Sequence, residues 1–237
     1  YEVLQLKNEK PARRAFEKLL KDKYQTIDNL NASWNSSFKS FKNINKEKAS
    51  EFSEDFKKDM FLYFEHFADT YFKTVAKELK SVLPNHLYFG SRFHGQVKYN
   101  KLIHRVASRY CDVISFNIYE YSVKDFQIHT EIDKPAIIGE FHAGTGSHGV
   151  WGVGLRSASD IKNQGEIYKQ YIKDASKHPS FIGAHWFQMI DQMATGRGND
   201  GENFRIGVVN ITDQPYEEFV QAIKEAAQNL YKNRIEN

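Results

Sequence analysis

The chain has 237 residues, 41% of them apolar and 14% aromatic, enough for one large domain or two small ones with a sizeable core. A net charge of only +3, with signs alternating along the helical segments, argues against a nucleic-acid surface. The single cysteine, Cys111, excludes an internal disulfide and a multi-cysteine metal site.

In chain order, Pro11 to Lys23 reads as an amphipathic helix with proline at its start. Asp28 is a candidate cap for a short helix carrying Leu30 and Trp34. After a polar stretch, a long helix from Glu51 to Val82 is expected, with Phe56, Met60, Phe64, Phe67, Tyr71, Val75 and Leu79 as its apolar stripe and Pro84 as its stop. The pattern then changes. Strands are expected at Leu87–Phe93, Val113–Tyr119, Pro135–Phe141 and Phe181–Phe187. Between and after them come a helix over Lys98–Tyr110, a short helix or loop over Val123–Glu131, a glycine-rich loop to about Ser157, and a helix over Ser159–Lys177. A second glycine-rich loop precedes a last helix over Pro215–Tyr231, with Thr212 or Asp213 as its cap.

Strand and helix alternate four times, which predicts a parallel sheet of βα units. Each strand ends in a polar or aromatic cluster: Arg92; Asn117 with Tyr119; Glu140 with His142; His185 with Trp186 and Gln188. Functional side chains delivered at one end of parallel strands are the mark of a (β/α) barrel, which needs eight strands. The expected fold is therefore α/β: the C-terminal half of a (β/α)8 TIM-type barrel, strands five to eight. It is read as a single domain over residues 1–237, with a helical segment at 1–86 and the βα units at 87–237. The runner-up is a doubly wound sheet.

Glu140 is the focal residue. A buried apolar strand, Pro135-Ala136-Ile137-Ile138, leads through Gly139 to this carboxylate, and a charge there is costly unless it is paired or used. Two segments, Gly144–Gly149 and Gly196–Gly201, match the dinucleotide pattern G-x-G-x-x-G. Neither opens a helix at once, so both are read as mobile active-site loops, and a nicotinamide enzyme is the weaker reading. No cofactor is expected. His142, His148 and His185 lack the spacing of a helical zinc motif, and no metal is expected.

The segments Ile138–His142, Ser115–Tyr119 and Gly183–Gln188 together resemble the C-terminal part of β-agarases of glycoside hydrolase family 50, clan A retaining enzymes. The likeness extends to Leu87–Phe93, to Thr195-Gly196-Arg197 with Asp200-Gly201-Glu202-Asn203, and to Ala32-Ser33-Trp34. The related clan A β-galactosidases share the barrel and the two-glutamate logic. The resemblance implies a (β/α)8 hydrolase acting on a galactan such as agarose, with Glu140 as the nucleophile at the end of strand seven. It also implies an acid/base glutamate, usually preceded by Asn, at the end of strand four. The chain is read as beginning just after that strand, at Tyr1 without Met, so an N-terminal half of the barrel, or a second copy of the chain, is the expected partner. Asn8-Glu9 matches the pair, but the residues before it are short and carry Lys7, and Pro11 then starts a surface helix. Glu9 is read as an exposed charge near that helix. Tyr119 is the expected hydrogen-bond donor to the nucleophile. Arg92, Asn117, His142, His185 and Gln188 are candidate partners for sugar hydroxyls, and Trp151 and Trp186 are candidate stacking platforms. Asp191 is expected to orient His185 or to cap its loop.

The implied partner is a polysaccharide or oligosaccharide, with no nucleic acid and no membrane span, and the implied location is secreted or periplasmic. The competing reading from another class is a non-catalytic carbohydrate-binding half-barrel or scaffold that lacks the acid/base.

Overall fold

The computed structural model describes residues 2–45, 53–129, 131–146, 149 and 151–235, which form two compact units divided between Glu78 and Leu79. In the first unit, helix α1 (Pro11–Tyr24) starts on its proline, where the missing N–H would have had no partner. Helix α2 (Ile27–Trp34) is capped not by Asp28 but by Thr26. The Thr26 backbone is extended, and its hydroxyl accepts the Asn29 N–H at 3.2 Å. Asp28 lies in the first turn, where the helix dipole favours its charge.

The long helix α3 (Glu54–Val82) starts with the Ser53 hydroxyl accepting the Phe56 N–H at 3.1 Å; the expected start at Glu51 lies outside the described residues. Its buried residues include Phe56, Tyr63, Ala68 and Phe72, while Phe67 and Tyr71 of the expected stripe are 54% and 47% exposed. Aromatic residues populate more than one face of α3, so period alone does not choose the inner one. A buried carboxylate does. Asp59 is wholly buried and accepts hydrogen bonds from the Tyr24 hydroxyl at 2.6 Å, the Trp34 indole N–H at 2.9 Å and the Lys23 ammonium. Around it Phe16, Leu20, Leu30, Trp34, Phe56 and Tyr63 form part of one apolar cluster.

The second unit is an α/β fold. Strands β1 (Arg92–Phe93), β2 (Ile114–Asn117), β3 (Ala136–Phe141) and β4 (Phe181–Trp186) form one parallel sheet in chain order. Helices α4 (Lys101–Ser108), α5 (Ile161–Lys177) and α6 (Glu217–Ile235) complete the unit. Phe141 of β3 stacks on Tyr171 of α5, with ring centroids 4.0 Å apart and planes 7° from parallel. Helices α5 and α6 approach at Gly165, where a Cβ would lie 2.7 Å from that of Ala222.

Several expected boundaries move. Strand β1 pairs over only two residues, because Gly90 takes a positive φ of 62° and breaks the extended run from Leu87. Tyr88 instead holds Asp112, whose carboxylate accepts the Tyr88 N–H at 2.7 Å. The expected helix at 98–110 divides into a 3-10 segment, Gly95–Tyr99, and α4, which Asn100 caps by accepting the Ile103 N–H at 3.1 Å. Of the short helix or loop expected over Val123–Glu131, residues 123–129 take the loop form, with one turn at 124–125. Helix α6 begins two residues after Pro215, and neither Thr212 nor Asp213 caps it. Both belong to a turn around Asn210, whose Oδ1 accepts from the Thr212 N–H at 2.9 Å and the Gln214 N–H at 3.0 Å.

Candidate active site

Plain alternation along β3 would send Ile138 and Glu140 to the same face of the sheet. The register prevents this. Phe116 pairs with Ile138 and Asn117 with Glu140, so β3 carries one residue more than β2, and the same excess recurs against β4 between Ile138 and Phe141. Gly139 is that extra residue, a β-bulge of the kind that re-aims side chains beside active sites. Phe141 is thereby returned to the helix layer, and Glu140 is turned to the opposite face, among Arg92, Asn117 and Tyr119. Only glycine fits. A Cβ at 139 would sit 2.6 Å from the Arg92 Cδ, 2.8 Å from the Ser115 Oγ and 2.9 Å from the Asn117 Oδ1.

The Glu140 carboxylate is held at both oxygens: Arg92 donates to Oε1 at 2.7 Å and the Tyr119 hydroxyl to Oε2 at 2.5 Å. Burial pushes the Tyr119 phenol well above its ordinary range, and the Glu140 carboxylate it donates to raises it further, so Tyr119 stays a donor. Asn117 is buried, and its Oδ1 has no hydrogen-bond partner among the described residues. His185 is exposed, one residue before Trp186 on β4. By alternation it lies on the sheet face opposite Trp186.

Other sequence candidates have different surroundings. His142 is 3% exposed and both ring nitrogens are engaged by backbone: Nε2 accepts the Leu155 N–H at 2.9 Å, and Nδ1 donates to the Phe187 carbonyl at 3.2 Å. It braces the loop after β3 against the end of β4, and Gly154 is needed beside it, since a Cβ there would lie 2.4 Å from Nε2. Trp186 faces the helix layer, against Phe141, Tyr168 and Phe219, and its indole N–H donates to the Ile206 carbonyl at 2.7 Å. Trp151 donates to the Gln192 carbonyl at 2.9 Å, and the Gln188 amide to the Ile190 carbonyl at 2.8 Å. Asp191 caps its loop and does not orient His185: its carboxylate accepts from the Gly207 N–H and the Tyr216 hydroxyl, each at 2.6 Å. Ser147, His148 and Val150 of the first glycine-rich loop lie outside the described residues. Glu9 is exposed in the turn before α1.

The sequence reading missed the carboxylate of Glu202. It pairs with Arg197 at 2.9 Å, accepts from Gln192 at 2.9 Å, and adds to the field that raises Tyr119. Its signal was the charged run Arg197–Glu202 at the carboxyl end of β4. Among the described residues no helix is long and apolar enough to cross a membrane, and no group of three or more His, Cys, Asp or Glu could hold a metal ion.

The brace predicts a pH dependence. Burial pushes the His142 imidazole down to about 4, against about 6.5 in an unfolded chain. Between those values the unfolded chain binds the proton and the folded one does not, so stability falls as pH drops from about 6.5 to about 4. The loss attributable to this residue is up to about 3 kcal/mol. Denaturant unfolding of the parent and of His142→Gln at pH 7 and pH 4.5 checks it. Burial lowers His104 and His178 in both proteins, so their contributions cancel. The variant is expected to lose less stability on acidification than the parent, and equal losses would contradict the assignment.

A parallel βα sheet with a bulge-aimed carboxylate at its carboxyl ends, held by an arginine and a tyrosine, is an arrangement suited to glycosidic bond chemistry. Residues 5–175 match the profile of a glycoside hydrolase 42 family described as beta-galactosidase, and the chain belongs to that family. It is similar to beta-agarase B of Vibrio sp. (strain JT0107), with 41% identity over 229 residues, 94% of this chain and 24% of that protein. It is also similar to beta-agarase A of the same strain, with 34% identity over 93% of this chain and 23% of that protein. The chain thus spans about a quarter of the length of these curated relatives. Among solved structures, an exo-beta-agarase superposes with a TM-score of 0.90 at 39% identity over 98% of this chain and 32% of its own. Another agarase does so with 0.85 at 36% identity, over 98% and 33%.

Proposed function

We propose that the chain supplies strands five to eight of the catalytic (β/α)8 barrel of a retaining glycoside hydrolase acting on a galactan such as agarose, with Glu140 as the nucleophile. The observation that carries the reading is the Glu140 carboxylate turned out of the helix layer by the Gly139 bulge and fixed at both oxygens by Arg92 and Tyr119. Fixing both oxygens sets the direction of attack on the anomeric carbon, which is the entropic part of catalysis. A covalent glycosyl-enzyme forms as the bond to the leaving oxygen breaks. A second carboxyl group ~5–5.5 Å away first protonates that oxygen and then deprotonates the incoming water. Exposed His185, on the face opposite Trp186, can serve a sugar hydroxyl as donor or acceptor. The similarity to proteins named beta-agarase supports agarose as the substrate.

The experiment is the stereochemistry of the first product. In the full-length protein, proton NMR in the first minutes of hydrolysis is expected to show the β-anomer accumulating before mutarotation. Initial release of the α-anomer would mean inversion and would remove the nucleophile role from Glu140.

A further inference from the structure

Past the ends of β2 and β3 lies an open depression of about 510 Å³, lined by Glu120, Tyr121 and the segment Val153–Ser157. We infer that it is a sugar-binding subsite, gripping a unit of the galactan chain away from the bond cleaved at Glu140. The inference rests on the catalytic reading above for the identity of the polymer.

Tyr121 is 48% exposed, yet its hydroxyl is fixed twice at Ser157, donating to the carbonyl at 3.0 Å and accepting the N–H at 3.3 Å. A ring exposed but already immobile loses little entropy when a pyranose face stacks on it. Over one face of the ring stands the Arg156 guanidinium, 5.9 Å from the centroid, which leaves the stacking role to the other face. Arg156 donates to the Leu155 carbonyl at 2.8 Å and to one oxygen of Glu120, and Lys98 donates to the other at 3.2 Å. Lys98 is almost buried, whereas Arg156 and Glu120 are about one-third exposed. The rim therefore presents a fixed fork of donors and a fixed carboxylate acceptor together. Adjacent sugar hydroxyls, each both donor and acceptor, match that pair.

Two residues tie the depression to the candidate catalytic carboxylate. Tyr119, which precedes Glu120, donates to Glu140, and its ring lies 4.6 Å from that of His142, which holds the Leu155 N–H. The depression and Glu140 therefore stand at the same, carboxyl end of the sheet.

The test is calorimetric titration of the full-length protein, made inactive by Glu140→Gln, with agaro-oligosaccharides of increasing length. Affinity is expected to rise with length. Adding Tyr121→Ala or Arg156→Ala should weaken binding of the long oligosaccharides about tenfold and of the shortest by less than about twofold. Tyr121→Phe keeps the ring and should retain most of the affinity. Unchanged long-chain affinity, or equal losses at every length, would overturn the subsite. If Tyr121→Ala does not fold, Arg156→Ala decides between the same outcomes. Because this is a binding measurement, it reads the subsite whichever residue is the nucleophile. Turnover by Glu140→Gln would defeat the catalytic reading on its own.

Discussion

The full-length protein carrying Glu140→Gln is expected to turn over galactan on the order of 10⁴- to 10⁶-fold more slowly than the parent, the scale seen when a nucleophile is deleted. The amide has nearly the shape of the carboxylate but is too weak a nucleophile to form a glycosyl ester. Folding should scarcely change. The Glu140 side chain is 17% exposed, and its arginine partner, at 57% exposed, can turn to water. A melting temperature close to the parent's, together with lost activity, separates chemistry from collapse. In Glu140→Ala, azide can enter the space left by the carboxylate and attack the anomeric carbon, giving a glycosyl azide of inverted configuration. Parent-like rates in Glu140→Gln would reject the nucleophile assignment.

The largest expected effect on stability lies in the first unit. Asp59→Ala removes the acceptor of three donors in a wholly buried position. Lys23 is partly exposed and can rehydrate, but the Trp34 indole is 2% exposed and loses its partner outright. Unsatisfied donors and the cavity together should cost about 3–5 kcal/mol. Asp59→Asn keeps one carbonyl acceptor but turns an amide N–H₂ toward a donor, so it should fall between. Denaturant midpoints with unchanged slopes read the difference, and a loss below about 1 kcal/mol for the alanine variant would contradict the account.

The four strands were legible because each is a short apolar run ending in polar residues, and buried parallel strands read that way. Glu140 was legible as a charge placed where such a run surfaces. The direction it faces was not. Reading β3 at a strict period of two puts Glu140 with Ile138, and only pairing with the neighbouring strands reveals Gly139 as an inserted residue. Trp186 misled for a related reason. A stacking platform needs an open ring face, but the Trp186 ring packs on Phe141, Tyr168 and Phe219, and its indole N–H donates to the Ile206 carbonyl, twenty residues along the chain. The candidate role of His142 ignored the backbone that reaches both its nitrogens from Leu155 and Phe187. On α3, aromatic residues at several helical phases left the inner face undetermined until Asp59 found donors on α1 and α2. In each case the deciding contact is long-range, which local pattern does not carry.

The most direct measurement is covalent trapping. The full-length protein is incubated with an activated galactoside bearing fluorine at C2, which slows breakdown of the glycosyl-enzyme more than its formation. Peptide mass spectrometry then locates the label. The account predicts one added sugar mass, as an ester, on the peptide that contains Glu140. A sugar ester on any other carboxylate, or inactivation with Glu140 unmodified, would contradict it.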